Sequence, residues 1–109
     1  MTVNELIKAA NFKAAALPNP EREVSGVYIG DLLSWVMGRA NPGNVWITIM
    51  SNVNVIAVAS LSDVSCILLS EGVTLDGEVL SVAEAKGINV LYSDMPIYES
   101  AMKIGGILE

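Results

Sequence analysis

Three short, almost unbroken apolar runs constrain this chain more than any other feature: Val45-Trp46-Ile47-Thr48-Ile49, residues 64–69 and Ile88-Asn89-Val90-Leu91-Tyr92. Each is too short for a stable helix, is rich in β-branched or aromatic residues, and is bounded by turn residues. A strand that is apolar on both faces must be covered on both faces. That is the situation of strands in a parallel sheet carrying helices above and below. Between the second and third runs, Asp76 reads as the N-cap of a helix with Val79, Leu80 and Ala83 on its core face and Lys86-Gly87 at its end. Strand and helix therefore alternate in the second half. The fold class is α/β, with a largely parallel sheet between helical layers.

The remaining segments fit around this frame. Thr2-Val3-Asn4-Glu5 matches a capping box, and a helix follows from Val3 to Ala10 with Val3, Leu6, Ile7 and Ala10 on one face. Asn11 stops it, and residues 12–17 form a first strand. Pro18-Asn19-Pro20 is a break. Val27-Tyr28-Ile29 leads to Gly30-Asp31, where Asp31 is expected to cap a helix presenting Leu32, Leu33, Val36 and Met37. Asn41-Pro42-Gly43-Asn44 is a turn. Residues 51–60 stay open between two readings. Val53, Val55, Ala57 and Ala59 alternate as in a strand, while Asn52 could equally cap a buried helix. After Ser93-Asp94-Met95-Pro96, a last helix is expected over about 97–104, stopped by Gly105-Gly106.

With 109 residues, the chain reads as one domain, residues 1–109. Its 12 acidic and 6 basic side chains give a net charge of −6. The six cations are scattered in sequence, which argues against a nucleic acid or an anionic membrane as partner. The N-terminus lacks the basic start and apolar core of a secretion signal, and no apolar run is long enough for a membrane span. A cytoplasmic location is the expectation. Mean hydropathy is +0.51, high for so small a domain. Small folds have unfavourable surface-to-volume ratios, so an apolar patch should be left for another chain to cover. A homodimer is the expected arrangement.

The chemistry available is narrow. There is no histidine and only one cysteine. Zinc and iron–sulfur sites are thereby disfavoured, and no cofactor or metal is expected. Asp76-Gly77-Glu78 reads as helix capping rather than as a cation site. Cys66 lies inside an apolar run and should be buried and inert. The serines have no histidine partner, so no catalytic residue is assigned. No phosphate-binding glycine loop is present.

One constellation remains. Ligands of open α/β sheets bind outside the carboxyl ends of the strands. Asp31, Ser51, Asn52, Ser70, Glu71, Gly72, Ser93 and Asp94 should all leave the sheet at that edge, as ligand-binding candidates. The alternative is that they cap helices and make turns. With carboxylates and no cation among them, a neutral or cationic small ligand, or a peptide, fits that edge better than a nucleotide. Trp35 and Tyr98 are candidate interface anchors. The alternative for both is the monomer's own core, and for Tyr98 that alternative is the expected one.

The order of segments resembles the DRTGG domain family. The resemblance is carried by Gly30-Asp31-Leu32-Leu33-Ser34-Trp35-Val36, Val45-Trp46-Ile47-Thr48, Asn54-Val55-Ile56-Ala57-Val58-Ala59, Ile67-Leu68-Leu69, Asp76-Gly77-Glu78-Val79-Leu80 and Ile88-Asn89-Val90-Leu91. That family is similar to the N-terminal domain of HPr kinase/phosphorylase. It occurs within phosphotransacetylases and CBS-domain pyrophosphatases, and as small proteins near iron-hydrogenase genes. The name-giving motif is degenerate: Met50-Ser51-Asn52 stands where an Asp-Arg pair is expected, and Ser70-Glu71-Gly72 where Thr-Gly-Gly is expected. The resemblance implies a three-layer α/β/α fold with a mixed, mostly parallel sheet of about five strands. It also implies a helix for residues 52–60.

Three functional readings follow. The first is a non-catalytic regulatory or interaction module: a small dimer that senses a ligand or docks on a partner enzyme, hydrogenase-associated in some relatives of this kind. The second is a small enzyme using Asp31, Glu71 and Asp94 as acids. The third is a structural subunit whose apolar patch completes a larger complex.

Overall fold

The computed structural model describes residues 1–108. Five helices and five strands follow one another along them, alternating from β2 onward: α1 (Val3–Ala10), β1 (Lys13–Ala16), β2 (Gly26–Ile29), α2 (Leu33–Arg39), β3 (Asn44–Thr48), α3 (Asn54–Ser62), β4 (Cys66–Leu69), α4 (Gly77–Lys86), β5 (Val90–Tyr92) and α5 (Ile97–Leu108). The sheet order is β1-β5-β4-β3-β2. Strands β2, β3, β4 and β5 are parallel, and β1 is antiparallel to β5. This is the mixed, mostly parallel five-stranded sheet that the resemblance implies.

The register places apolar residues in rows across the sheet. Trp46 lies beside Ile67, and Ile67 beside Val90. These three face the layer made by α2, α3 and α4, where Val36, Ile56, Val79 and Ala83 meet them. Ile47, Leu68 and Leu91 form the corresponding row on the other face. They pack under α1 and α5 with Val3, Leu6 and Ile104. Each fully buried side chain of this size contributes about 1.5–3 kcal/mol relative to its exposed state.

Polar residues tie the connections to this core. Thr2 and Glu5 form the expected capping box, with the Thr2 amide donating to Glu5 Oε1 at 2.8 Å and the Glu5 amide to Thr2 Oγ1 at 3.1 Å. Hydrogen bonds from Thr2, the backbone one foremost, hold the Glu5 carboxyl below its ordinary pKa. Buried Asn89 locks the Pro18–Pro20 break onto the sheet: its Nδ2 donates to the Asn19 and Ser65 carbonyls at 2.7 and 3.0 Å, and its Oδ1 accepts from the Asn19 amide at 2.9 Å. In the turn before β3, Gly43 has φ +83°, and a Cβ there would lie 2.6 Å from Ser25 Oγ. Only glycine fits that backbone.

Four expectations are settled or corrected. Residues 54–62 form a helix, so the strand reading of 51–60 fails: the buried residues are Val55, Ile56, Val58, Ala59 and Ser62, at helical spacing, whereas Val53 and Ala57 of the alternating pattern are exposed. Asp31 does not cap α2, whose N-cap is Leu32 with no side-chain hydrogen bond. The apolar face expected on α2 is only partly covered. Val36 is fully buried, but Leu32 and Met37 are exposed, because α2 lies over the margin of the sheet with α3 as its main helical neighbour. Finally, Gly105-Gly106 do not stop the last helix, which continues to Leu108. The outward glycines cost helix propensity, but Ile104, Ile107 and Leu108 gain burial against the α1 side of the core.

A Cβ at Gly105 would meet nothing within 4 Å. Gly105→Ala should therefore stabilise the chain by about 0.5–1 kcal/mol, read from urea unfolding. A loss of stability would show that this turn is not helical in solution.

Candidate functional site

Because β2 to β5 are parallel, their carboxyl ends share one edge, and every candidate residue lies in the loops that leave it. The structure does not gather them into one site. It divides them into two groups and uses several as struts.

Asp31 Oδ1 accepts from Thr48 Oγ1 at 2.7 Å and from the Ile49 amide at 3.1 Å. Thr48 is fully buried, and its Oγ1 also accepts from the Met50 amide at 3.2 Å. Asp31 thus clamps the loop after β2 to the loop after β3. Trp46 adds a second tie, its Nε1 donating to the Gly30 carbonyl at 2.8 Å. Asn52 Oδ1 accepts from the Asn54 amide at 2.9 Å just ahead of α3, whose N-cap is Val53 and not the expected Asn52, while Ser51 is exposed beside it.

Ser70 and Ser93, at the ends of β4 and β5, meet Ser100 of α5 in a buried hydroxyl cluster. Ser70 Oγ donates to Ser100 Oγ at 3.1 Å, and Ser93 and Ser100 share a hydrogen bond of 2.9 Å. Ser93 Oγ also accepts from the Met95 amide at 3.1 Å. These hydroxyls join the sheet edge to the start of α5. Ser100 was not singled out from the sequence; a serine inside an otherwise apolar helical face was the available sign.

Glu71 and Gly72 form a tight two-residue turn with φ +63° and +74°. The Val73 amide closes it on the Ser70 carbonyl at 3.2 Å, and the Glu71 and Gly72 amides donate to the Met95 and Ser93 carbonyls. The turn is thereby held against the loop that carries Asp94. Asp31, Glu71 and Asp94 do not converge: among the described residues no group of three or more His, Cys, Asp or Glu side chains gathers.

One cleft opens at this edge, with a volume of about 380 Å³. Of the candidates, Gly72, Ser93 and Asp94 line it, together with Phe12, Val73 and Met95. Two cations line it as well, Lys13 and Lys103. The sequence reading expected no cation beside the carboxylates of this edge; two lysines accompany Asp94 here. Lys13 reaches the cleft because β1 is antiparallel: Lys13 begins β1 opposite Tyr92, where β5 ends. Lys103 arrives from α5. No local signal joins two lysines so far apart in the chain; only the strand order does.

Cys66 is fully buried in β4, as expected. Burial pushes its thiol up to about 12, against a minor opposing hydrogen bond from Ser65. Of the two aromatic anchors, Trp35 is half exposed and carries the Arg39 guanidinium over its ring, 3.8 Å from the centroid. Tyr98 is 68% exposed, so it is not the core residue that was expected. Its position near the start of α5 points outward, and the inward face of that turn is occupied by Ser100, Ala101 and Ile104.

Among solved structures, the chain is similar to the CBS and DRTGG domains of the regulatory region of Clostridium perfringens pyrophosphatase, complexed with the activator diadenosine tetraphosphate. The TM-score is 0.76 at 13% identity, over 94% of this chain and 45% of that one. The fold is thus DRTGG-like, and the chain spans under half of that regulatory region's length. No family model and no curated protein matches the chain.

Two outcomes follow from this geometry. Ser100→Ala removes the hub of the buried hydroxyl cluster and should cost about 1–3 kcal/mol in urea unfolding; a neutral effect would mean the cluster holds nothing. For Cys66, the folded thiol keeps its proton above the ordinary value of 9.0, up to about 12. The unfolded thiol ionises first, so stability is lost as pH rises from 9.0 towards about 12. Cys66→Ala should make that decline shallower than in the wild type.

Proposed function

We propose that this chain is a non-catalytic regulatory module that acts by association, as a cytoplasmic homodimer able to dock on a partner enzyme. The observation that carries this reading is the apolar surface at the β2 margin of the sheet. Ile29, Leu32 and Ile49 are exposed there, and the Asp31 clamp holds their loops side by side. Trp35, half exposed, follows Leu32 by about one turn of α2. Strand β2 is the last strand of the sheet, so one side of its backbone is unpaired within the described residues. Apolar side chains beside an open strand edge attract another chain, and natural proteins blunt or cover such edges. β2 itself carries no charged side chain: it reads Gly26-Val27-Tyr28-Ile29.

The fold it shares with part of a pyrophosphatase regulatory region supports a regulatory role. A symmetric dimer is the simplest way to cover the patch, because a two-fold axis buries the same surface twice.

Sedimentation velocity on the whole chain tests this reading. A dimer is expected at micromolar concentration, and Leu32→Glu with Trp35→Glu should shift it to monomer without changing the far-UV circular dichroism. A wild-type chain that stays monomeric throughout that range overturns the dimer.

A further inference from the structure

We infer that the cleft at the carboxyl end of β4 and β5 is a binding site for a small organic anion, with Lys13 and Lys103 as its anion-holding groups. The site lies at the opposite end of the sheet from the β2 margin and does not depend on dimerisation. Four observations converge on it.

The first is charge. This chain has twice as many acidic as basic side chains, 12 against 6. Yet the cleft is lined by two lysines and one aspartate, which reverses the sign of the chain locally. The second is pairing. The ion pairs of the described residues are Met1 with Glu23 and Arg22 with Asp63. Arg39 is occupied by Trp35. Lys13, Lys103 and Asp94 share one cleft, and none of them is within 4.0 Å of an opposite charge among the described residues.

The third observation is size and lining. About 380 Å³ lies within the range of small-molecule sites, roughly 300–1,000 Å³. Phe12, Val73 and Met95 supply an apolar wall beside the charged groups, so the site suits an anionic head carried on a short carbon body. The fourth is rigidity. The Glu71-Gly72 turn is pinned by two backbone hydrogen bonds of 2.9 and 3.0 Å to the Met95 and Ser93 carbonyls, and the loop bearing Asp94 is fixed by the buried serine cluster. A preformed wall reduces the ordering cost of binding.

The ligand chemistry follows. A phosphate or carboxylate head lies between the two ammonium groups. Asp94 accepts a hydrogen bond from a hydroxyl or amine on the ligand body, which selects against a plain inorganic anion. A cationic ligand is disfavoured by the lysines.

The test is an amide NMR titration of the whole chain with glycerol 3-phosphate, with lactate, and with choline as the cationic control. Saturable shifts at Lys13, Gly72, Val73, Thr74 and Asp94 are expected with one or both anions and not with choline. The anion that binds more tightly identifies the head group. Lys13→Gln with Lys103→Gln should weaken binding by about tenfold or more. Each single variant should fall between, which keeps the test valid if the double variant is unstable. Absence of saturable shifts with both anions overturns the site, as does binding of choline alone or an affinity unchanged by removing the lysines.

Discussion

Strand β4 has no polar side chain and no exposed face: Cys66, Ile67, Leu68 and Leu69 are all fully buried. Their alternation sends Ile67 and Leu69 into one layer and Cys66 and Leu68 into the other. Neither layer can be dispensed with, because uncovering either face would return fully buried apolar side chains of β4 to water. The flanking strands β3 and β5 share this demand, and helical crossovers between parallel strands meet it. The three-layer arrangement follows from that central requirement.

Parallel strands have a second consequence. All their carboxyl ends emerge together, so a single edge collects the loops after β2, β3, β4 and β5. Those loops carry a series of small polar residues, and much of that polarity is spent on the fold itself. Asp31 and Thr48 clamp one pair of loops, Asn52 accepts from the Asn54 amide just ahead of α3, and Ser70, Ser93 and Ser100 join the sheet to α5. What stays open for a ligand is the smaller remainder around Gly72 and Asp94, completed by residues from β1 and α5.

The two margins of the sheet differ in kind. At the β1 side the terminal strand is likewise unpaired on its outer side among the described residues, but α4 packs against it and a charged cleft forms beside it. At the β2 side the last strand has no further partner, α2 buries only a narrow stripe centred on Val36, and apolar side chains are left facing solvent. One fold thus places a polar recess at one end of the sheet and exposed apolar side chains at the other.

Apolar runs, capping residues and turn residues by themselves determined the elements. The boundaries of α1 and α4, the capping box at Thr2, the caps at Asn11 and Asp76, and the burial of Cys66 were all legible, because each depends on neighbours within a few residues. Contacts distant in sequence decided the rest. The helix over 54–62 replaced an equally good strand pattern, since Val55, Ile56, Val58 and Ala59 are buried together at helical spacing, beside α2 and α4, while Ala57 and Leu61 face solvent. Asp31 turned from cap to clamp once β3 lay beside it, and Lys13 joined Lys103 only because β1 runs against the other strands. Local sequence fixes which backbone states are cheap; which side chains share a site depends on strand order and direction, and these are set by how the chain as a whole covers its buried sheet.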